Sequence, residues 1–406
     1  MSEVQIESYL ANLDFPCDLN RLPASAYLIG GSVRDALLQR YKTPLDLDFV
    51  LPEKAIATAK QIANLYQVGF VVLDEAREIA RVVFPQGTLD LARQEGANLE
   101  ADLKRRDFTI NAIAYNIQSA ESIDPLKGLE DLQQGILRMV APQNLEDDPL
   151  RLLRAYRQAA QLDFTIEAKT RTAILKRTAL LQTVAAERVQ AELNYIFTAP
   201  QGNKWLTAAI ADGLLDFWLP YAKQTTREQL EAVDRGIEFC RQSDLDYPQL
   251  AISTKLATLV AAEPTIAESE LTQLKYARSP IKAIAKTVKY LPQLQQLTEQ
   301  MSLRERYFWF LAVKDIFPVL IARAIATEVS SAIIVPLVRH YLDPTDLVAH
   351  PQCLVTGNDL IGELHLKPSP IIGKLLTEIQ IAQIESKIAT PQQAIGYAES
   401  ILKAYS

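Results

Sequence analysis

The chain has 406 residues, enough for two or three domains, and 49% of them are hydrophobic while 22% are charged. These values are typical of a globular protein and exclude a disordered, collagen-like or disulfide-rich chain. Lys and Arg number 42 against 49 Asp and Glu, so the net charge of -7 gives no indication of nucleic-acid binding through bulk charge.

The cysteine, histidine and apolar patterns narrow the class of protein further. Three widely separated cysteines without CxxC spacing indicate free thiols in a reducing compartment, and we expect a cytoplasmic protein. Three histidines are too few for a His-rich zinc site. The apolar stretch at 310–329 is interrupted by Lys314, Asp315 and Arg323, so we expect no membrane span.

Two kinds of pattern divide the chain near Pro142. Before it, short apolar runs of strand length alternate with helical patterns; after it, apolar residues recur almost throughout at helical spacing. The sequence therefore predicts an α+β protein, with an N-terminal head of strands and helices followed by an all-α region. The predicted strands are 27–29, 45–50, 70–73, 81–84 and 88–92, and the predicted helices of the head include 32–39 and 55–66.

The first candidate site is a glycine turn. A predicted strand ends at Gly30 and Gly31, and a helix begins at once. Glycines let the backbone approach a ligand closely, and a helix N-terminus offers free N–H groups to an anion. Arg34, one turn into the helix, could then bind a phosphate, although such a segment is more often an ordinary strand-to-helix turn.

Three aspartates share one strand pattern. Asp46 and Asp48 alternate with apolar residues in the predicted strand 45–50, so both project from the same face. Two such carboxylates can bind a pair of divalent cations. Asp90 occupies an equivalent position in the strand 88–92, and a neighbouring strand would bring it to the same site. The alternative is an acidic outer face, but Asp is depleted in strands.

The segment KRRDFTIN at 104–111 combines three cations with polar side chains. Arg106, Asp107 and Asn111 suit contacts to a triphosphate and a ribose. A solvated run of charge is the alternative interpretation.

A later helix, DDPLRLLRAYR at 147–157, is amphipathic. Asp148, Arg151, Arg154 and Arg157 recur every three residues on the face opposite the leucines, and Asp148 and Arg151 are close enough to act together. Surface ion pairs would show the same spacing.

Taken in this order, the segments resemble the class II tRNA nucleotidyltransferase and bacterial poly(A) polymerase family. GGSVRD and DLD resemble its first motif, RRDFTINAIAYN its second, and DDPLRLLRAYR its base-reading helix. Glu187 and Arg188 resemble a later motif, and segments 356–361 and 367–373 also match, so the resemblance covers nearly the whole chain.

Three positions depart from the family's pattern. Asp147 stands where the family usually has Glu, Gln158 where an aromatic residue is frequent, and Ser369 where a glycine is usual. These departures leave the reaction class intact but bear on which nucleotides are added.

The resemblance implies a catalytic head on a small mixed sheet at 1–140, a helical neck at 141–205, a helical body at 206–310 and a helical, tRNA-binding tail at 311–406. It implies Asp46 and Asp48 as ligands of two Mg²⁺ ions, with Asp90 as the third catalytic carboxylate. It implies CTP and ATP as substrates and tRNA as the partner, with no membrane. The implied nucleotide-binding residues are Gly30, Gly31, Arg34, Arg106, Asp107, Asn111, Asp148, Arg151, Arg154 and Arg157.

Hydrogen-bonding chemistry predicts which bases the site accepts. Cytosine and adenine both present an amine donor beside a ring-nitrogen acceptor, whereas uracil and guanine present the reverse. An ionised Asp148 only accepts and Arg151 only donates, so the pair fits C and A and rejects U and G.

A local stripe of basic residues could bind tRNA. A helix predicted to begin at Ser279 and Pro280 places Lys282, Lys286 and Lys289 on one face. A solvated helix face would have the same pattern.

The nucleotides added are the open question. Family members that build the whole CCA end usually carry a long flexible segment after the third carboxylate, but here the connector 91–104 is short. We therefore hypothesise efficient addition of CC and poor addition of the terminal A. The alternatives are mobility in 74–81 with full CCA addition, an A-adding enzyme, a poly(A) polymerase, and a non-catalytic RNA-binding protein. The chain ends in ILKAYS rather than in the strongly basic extension frequent in poly(A) polymerases.

Overall fold

The structure, a computed structural model, describes residues 3–12, 17–41, 44–297 and 301–405. The chain forms two compact units, Met1–Phe217 and Trp218–Ser406. The finer division into head, neck, body and tail stays a prediction.

The first unit contains a seven-stranded sheet in the order β3-β4-β5-β2-β1-β6-β7. The pair β2–β5 is parallel and the other pairs are antiparallel, so the predicted mixed sheet is confirmed. All five predicted strands are present, and β6 and β7, of three residues each, were not predicted. The strands are β1 Tyr27–Ile29, β2 Leu45–Leu51, β3 Gly69–Asp74, β4 Ile79–Phe84, β5 Gly87–Arg93, β6 Ala114–Asn116 and β7 Glu121–Ile123, and a separate ladder joins β8 Ile136–Leu137 to β9 Thr165–Ile166.

The helices of the first unit cover the apolar face of this sheet and continue beyond it. Leu47, Phe49, Leu89 and Leu91 are buried, as the alternation in β2 and β5 requires. The helices are α1 Glu3–Ala11, α2 Gly31–Leu37, α3 Ala55–Tyr66, α4 Leu99–Leu103, α5 Gly128–Gln134, α6 Pro142–Asp147, α7 Leu150–Leu162, α8 Ala168–Leu175, α9 Ala186–Thr198 and α10 Gly202–Ala211.

Helix α7 shows the predicted amphipathic packing. Its apolar face, which includes Leu152, Leu153 and Tyr156, is fully buried. The arginines that follow Asp148 at every third position therefore lie on the side away from this core.

Within its described residues, the second unit contains helices and no strand. The apolar helix α16 packs on α11, α12 and α14. A Cβ on Gly236 of α11 would lie 2.1 Å from the carbonyl oxygen of Ala322 in α16, so only glycine allows this close crossing. The helices are α11 Arg227–Gln242, α12 Leu250–Leu259, α13 Pro264–Gln273, α14 Arg278–Gln295, α15 Leu303–Val313, α16 Phe317–Ala326, α17 Ser331–Leu342, α18 Gly357–Glu363, α19 Pro370–Ile384 and α20 Pro391–Tyr405.

Over the described ranges, no single helix combines the length and apolar character that crossing a membrane would take. One sharply bent pair, Leu250–Leu259 with Pro264–Gln273, reaches those criteria only when both helices are counted together.

Candidate active site

The three aspartates of the strand pattern meet on one face of the sheet. Strands β2 and β5 are parallel neighbours, and their register places Asp48 beside Asp90 and Asp46 beside Thr88. The Thr88 hydroxyl donates a hydrogen bond to the Asp46 carboxylate. The predicted convergence of Asp90 with the other two carboxylates is therefore confirmed.

The charge of this face is only partly balanced. Arg81 of β4 donates two hydrogen bonds of 2.7 Å to the two carboxylate oxygens of Asp90. Burial raises the pKa of Asp48 to about 7, and the charges of Asp46 and Asp90 add to this effect, which Arg106 and Arg81 oppose. An additional cation beside Asp48 would lower the energy of its ionised form.

The carboxylates of Asp46 and Asp48 are suited to magnesium that binds together with a nucleotide. No group of three or more His, Cys, Asp or Glu side chains suited to a metal occurs in the described ranges. Magnesium is typically bound through one or two carboxylates and completed by substrate phosphates and water. Asp46 and Asp48 supply such a pair, and the unfavourable charging of Asp48 is the observation that a divalent cation would relieve.

The glycine turn lies directly beside the carboxylates. Ser32 joins the two, because its hydroxyl donates to the carbonyl oxygen of Asp46 at 3.0 Å and accepts from the backbone N–H of Asp48 at 3.2 Å. Gly30 has φ +69°, a conformation that favours glycine, and a Cβ there would lie 3.1 Å from Nη1 of Arg106. The turn thus leaves space for a cationic side chain close to Asp48.

Arg34 is held by internal partners. Its Nε donates to Oδ1 of Asp35 at 2.9 Å, and its Nη1 donates to Oδ1 of Asn111 at 2.7 Å. Its Nη2 faces Gly31, where a Cβ would lie 3.4 Å away. Arg34 therefore fastens α2 to the turn that carries Asn111, and its contact with a phosphate stays a prediction.

Asp107 is the centre of a buried polar network. Its carboxylate accepts from the Phe108 N–H at 2.8 Å and from Asn111 Nδ2 at 2.9 Å, and Nη1 of Arg154 lies 3.5 Å away. Burial acts to raise the pKa of Asp107, but Arg154 and the two hydrogen bonds outweigh it and lower the pKa. Gln158 is also buried and accepts from Asn111 at 3.0 Å, so the amide at this position joins the network.

Two of the predicted nucleotide-binding arginines share an acidic partner on another helix. Glu192 of α9 is buried and accepts from Nε of Arg154 at 3.3 Å and from Nε of Arg157. Arg157 also donates to Gln161 at 2.6 Å. These contacts join α7 to α9, and they fit a supporting role, which stays a prediction.

A cavity of about 600 Å³ adjoins Arg106. Its volume lies within the range of about 300–1,000 Å³ that is usual for small-ligand sites. Its lining is wholly charged, which favours a polar, charged ligand. The lining residues are Arg77, Glu95, Asp102, Arg105, Arg106, Asp147, Asp148, Arg151 and Arg188.

Two donors in this cavity lack partners. Nε of Arg106 and Nε of Arg151 are buried without a hydrogen bond to any described residue. Buried polar groups are nearly always hydrogen-bonded, so each guanidinium keeps one donor that a ligand could satisfy after a small movement of the side chain. The Arg151 side chain is also fixed in place, because Nη1 donates to the carbonyl oxygens of Arg105 at 2.8 Å and Asn144 at 2.9 Å.

Asp148 and Arg151, the two predicted base-reading residues, line the same cavity, but the partners that hold them were not predicted. Asp148 accepts from Nη2 of Arg188 in α9 at 3.0 Å, whereas Arg151 contacts backbone carbonyls. The segment Glu187–Arg188 was the only sequence signal for this contact. Sequence reasoning also missed Arg77 and Glu95, which carry no recognisable motif.

The connector after Asp90, segment 91–104, is held in place by hydrogen bonds and an ion pair. The backbone N–H of Glu95 donates to Oδ1 of Asp102 at 3.0 Å, and the Glu95 carboxylate pairs with Arg105. Asn98 caps α4 by accepting from the Ala101 N–H at 2.9 Å. Little of the segment 91–104 is therefore unconstrained.

The predicted basic stripe lies on α14 but is uneven. Lys282 and Lys289 are exposed, whereas Lys286 is partly buried and pairs with Asp315. Its role in RNA binding stays a prediction.

Three family models match the chain. The poly(A) polymerase head domain matches residues 26–138, and the probable RNA- and SrmB-binding site of polymerase A matches residues 163–225. The putative tRNA nucleotidyltransferase domain 2 matches residues 250–398.

Relatives and solved structures agree with these matches. The CC-adding tRNA nucleotidyltransferase of Synechocystis sp. is 49% identical over 98% of this chain and 99% of its own length. The A-adding tRNA nucleotidyltransferase of Deinococcus radiodurans is 30% identical over 93% of this chain and 95% of its own. A CCA-adding enzyme solved with CTP has the same fold, with a TM-score of 0.77 and 23% identity over 99% of this chain and 98% of its own.

Proposed function

The chain belongs to the tRNA nucleotidyltransferase and poly(A) polymerase family, and from this premise we propose that it adds the CC of the tRNA 3′ end from CTP. The observation that carries the proposal is the carboxylate face of β2 and β5 beside an arginine-lined cavity with two unpartnered donors. The restriction to CC is supported by the tied connector 91–104 and by the likeness to a CC-adding relative. Such an enzyme would act in the cytoplasm.

The reaction is phosphoryl transfer. The terminal 3′-hydroxyl of the tRNA attacks the α-phosphate of CTP, and pyrophosphate leaves. Asp46 and Asp48 would hold a pair of Mg²⁺ ions, which when bound neutralise phosphate charge and lower the pKa of the hydroxyl. Arg106 is placed to donate to the triphosphate through its unpartnered Nε, and Asp90, balanced by Arg81, completes the carboxylate face.

The cavity also accounts for the choice of base. Asp148 supplies acceptor oxygens for an exocyclic amine, and Arg151 supplies a donor for a ring nitrogen. Their contacts with Arg188 and with backbone carbonyls hold both groups in place, so a base with reversed donors and acceptors would leave buried groups unpaired.

The direct test uses two tRNA transcripts, each incubated separately with labelled CTP and with labelled ATP; the following two lengths are those expected with CTP. A transcript that ends at the discriminator base should gain two residues, and one that ends after the first C should gain one. Long products from ATP would instead indicate a poly(A) polymerase, and no incorporation of either label would indicate a non-catalytic RNA-binding protein.

Removing Arg151 should relax the choice between CTP and UTP. We expect Arg151→Ala to lower the ratio of kcat/KM for CTP to that for UTP by about tenfold or more, because the ring-nitrogen donor is lost. Arg105→Ala is a matched control, since it removes an equal charge from the same cavity; through its pair with Glu95 it should change the choice between CTP and ATP, but not that between CTP and UTP. An unchanged ratio in Arg151→Ala would show that this residue does not read the base.

The basic stripe should contribute to tRNA binding. Changing Lys282, Lys286 and Lys289 to Ala together should weaken binding and flatten its dependence on salt, because each lost phosphate contact lowers the slope by about one. Lys286→Ala alone should have less effect than Lys289→Ala, since Lys286 already pairs with Asp315. Filter binding at low and moderate salt measures both quantities, and equal affinity of the triple variant and wild type would contradict the assignment.

A further inference from the structure

The second unit contains a larger cavity that plays no part in the proposed reaction. Its volume is about 990 Å³, and its lining is mainly aliphatic and hydroxyl-bearing. Val260, Val288 and Leu291 supply apolar surface, and Thr258 and Thr327 supply hydroxyl groups. A cavity of this kind suits an organic molecule with an apolar body.

Arg323 is the only cationic residue among the described residues that line this cavity. It is also the only charged residue of α16, whose neighbouring positions Ala322 and Ala324 are fully buried. Its Nε is buried, and its guanidinium makes neither a hydrogen bond nor an ion pair with any described residue. Burial lowers the pKa of Arg323 to about 10.

The acidic residues of the lining do not balance this charge. Glu263 and Glu328 belong to the lining, but neither forms an ion pair with Arg323. Glu263 is occupied as the cap of α13, where it accepts from the Ile266 N–H at 2.8 Å. Arg323 is partly buried and unpaired, which is unfavourable for folding, so this position is better explained by a ligand than by stability.

The same feature occurs in the candidate active site. In the part of the chain that the structure describes, three arginines have a buried Nε without a partner: Arg106, Arg151 and Arg323. The first two line the cavity beside the carboxylates, where an anionic nucleotide is proposed to bind. Arg323 repeats this arrangement in a cavity of its own.

We propose that the cavity around Arg323 binds a small organic anion, a carboxylate or phosphate monoester on an apolar body, with its charged group paired to this arginine. The inference does not depend on the proposed CC addition. An RNA backbone fits less well, because grooves that bind phosphates use several cations and this lining has one cation and two acidic residues.

The test measures binding of phenyl phosphate, benzoate and inorganic phosphate to the full chain by calorimetry and thermal shift. Phenyl phosphate or benzoate should bind and raise Tm, and inorganic phosphate should bind more weakly because it lacks the apolar body. Arg323→Met should lower the affinity for the organic probe by about tenfold or more, because methionine keeps an apolar side chain but lacks the charge. The Tm of this variant without probe should equal or exceed that of wild type.

Arg304→Met is the matched control, because Arg304 pairs with Glu378 at 2.6 Å outside the cavity. This control should leave probe binding unchanged, and Arg323→Gln provides a second loss of charge if the Met variant does not fold. The proposal is overturned if neither organic probe binds wild type, or if Arg323 variants that fold bind it equally well. It is also overturned if a tRNA acceptor duplex alone binds and only its affinity depends on Arg323.

Discussion

Replacing Asp46 or Asp48 with alanine should abolish nucleotide transfer while leaving the fold and tRNA binding largely intact. We expect turnover to fall by about three orders of magnitude or more, because the groups proposed to hold magnesium are lost from the reacting phosphate. Stability should not suffer at Asp48, whose charged form is already disfavoured by burial and by Asp46 and Asp90. Single-turnover kinetics, Tm and filter binding measure the three quantities.

Two further variants separate the metal assignment from a general loss of charge. Asp90→Asn should lower turnover less than Asp46→Ala or Asp48→Ala. The reason is that the Asp90 carboxylate already pairs with Arg81 and is not proposed as a magnesium ligand. Asp163→Asn, an exposed carboxylate at the end of α7, should have no effect. Turnover within about tenfold of wild type in Asp46→Ala or Asp48→Ala would contradict the assignment.

The carboxylate face could be predicted because a strand has a strict period of two. Alternation in 45–50 placed Asp46 and Asp48 on one face, and the same alternation placed Asp90 on the face of its own strand. The parallel pairing of β2 with β5 then brings Asp48 beside Asp90. Alternation does not specify which strands are neighbours, so the sequence alone does not determine this pairing.

Contacts between helices distant in sequence could not be predicted in the same way. The helical period placed Arg154 and Arg157 on one face of α7, but it gave no indication that Glu192 of α9 holds both of them. Nor could it show that Asp148 pairs with Arg188. Such partners depend on how helices cross, and crossing angles follow from side-chain packing rather than from periodicity.

Arg323 shows a different limit of sequence reasoning. In the sequence it only interrupts an apolar stretch and so argues against a membrane span. Its lack of a partner and its position in a cavity become visible only when α11 to α16 are assembled. An isolated charge in an apolar helix can therefore be recognised in the sequence, but its surroundings are known only from the structure.

The terminal A of the CCA end should be added poorly. Supplied with ATP alone, a tRNA transcript that ends in CC should be extended at least about 100-fold more slowly than a transcript that ends in C and is supplied with CTP. The proposed reason is that the base-reading site would have to rearrange to accept a purine after two pyrimidines. Glu95 and Asp102 fix the connector that would have to move, and Glu95 is further joined to Arg105 in the cavity wall.

Untying the connector should change this selectivity more than the overall rate. Glu95→Ala removes the contact with Arg105, so we expect relatively faster addition of A and a smaller preference for CTP over ATP, measured as kcat/KM on matched transcripts. Glu100→Ala is the control, since it removes a carboxylate from the same connector whose one ion pair among the described residues is with Lys104. Fast and complete addition of A by wild type would contradict a fixed site.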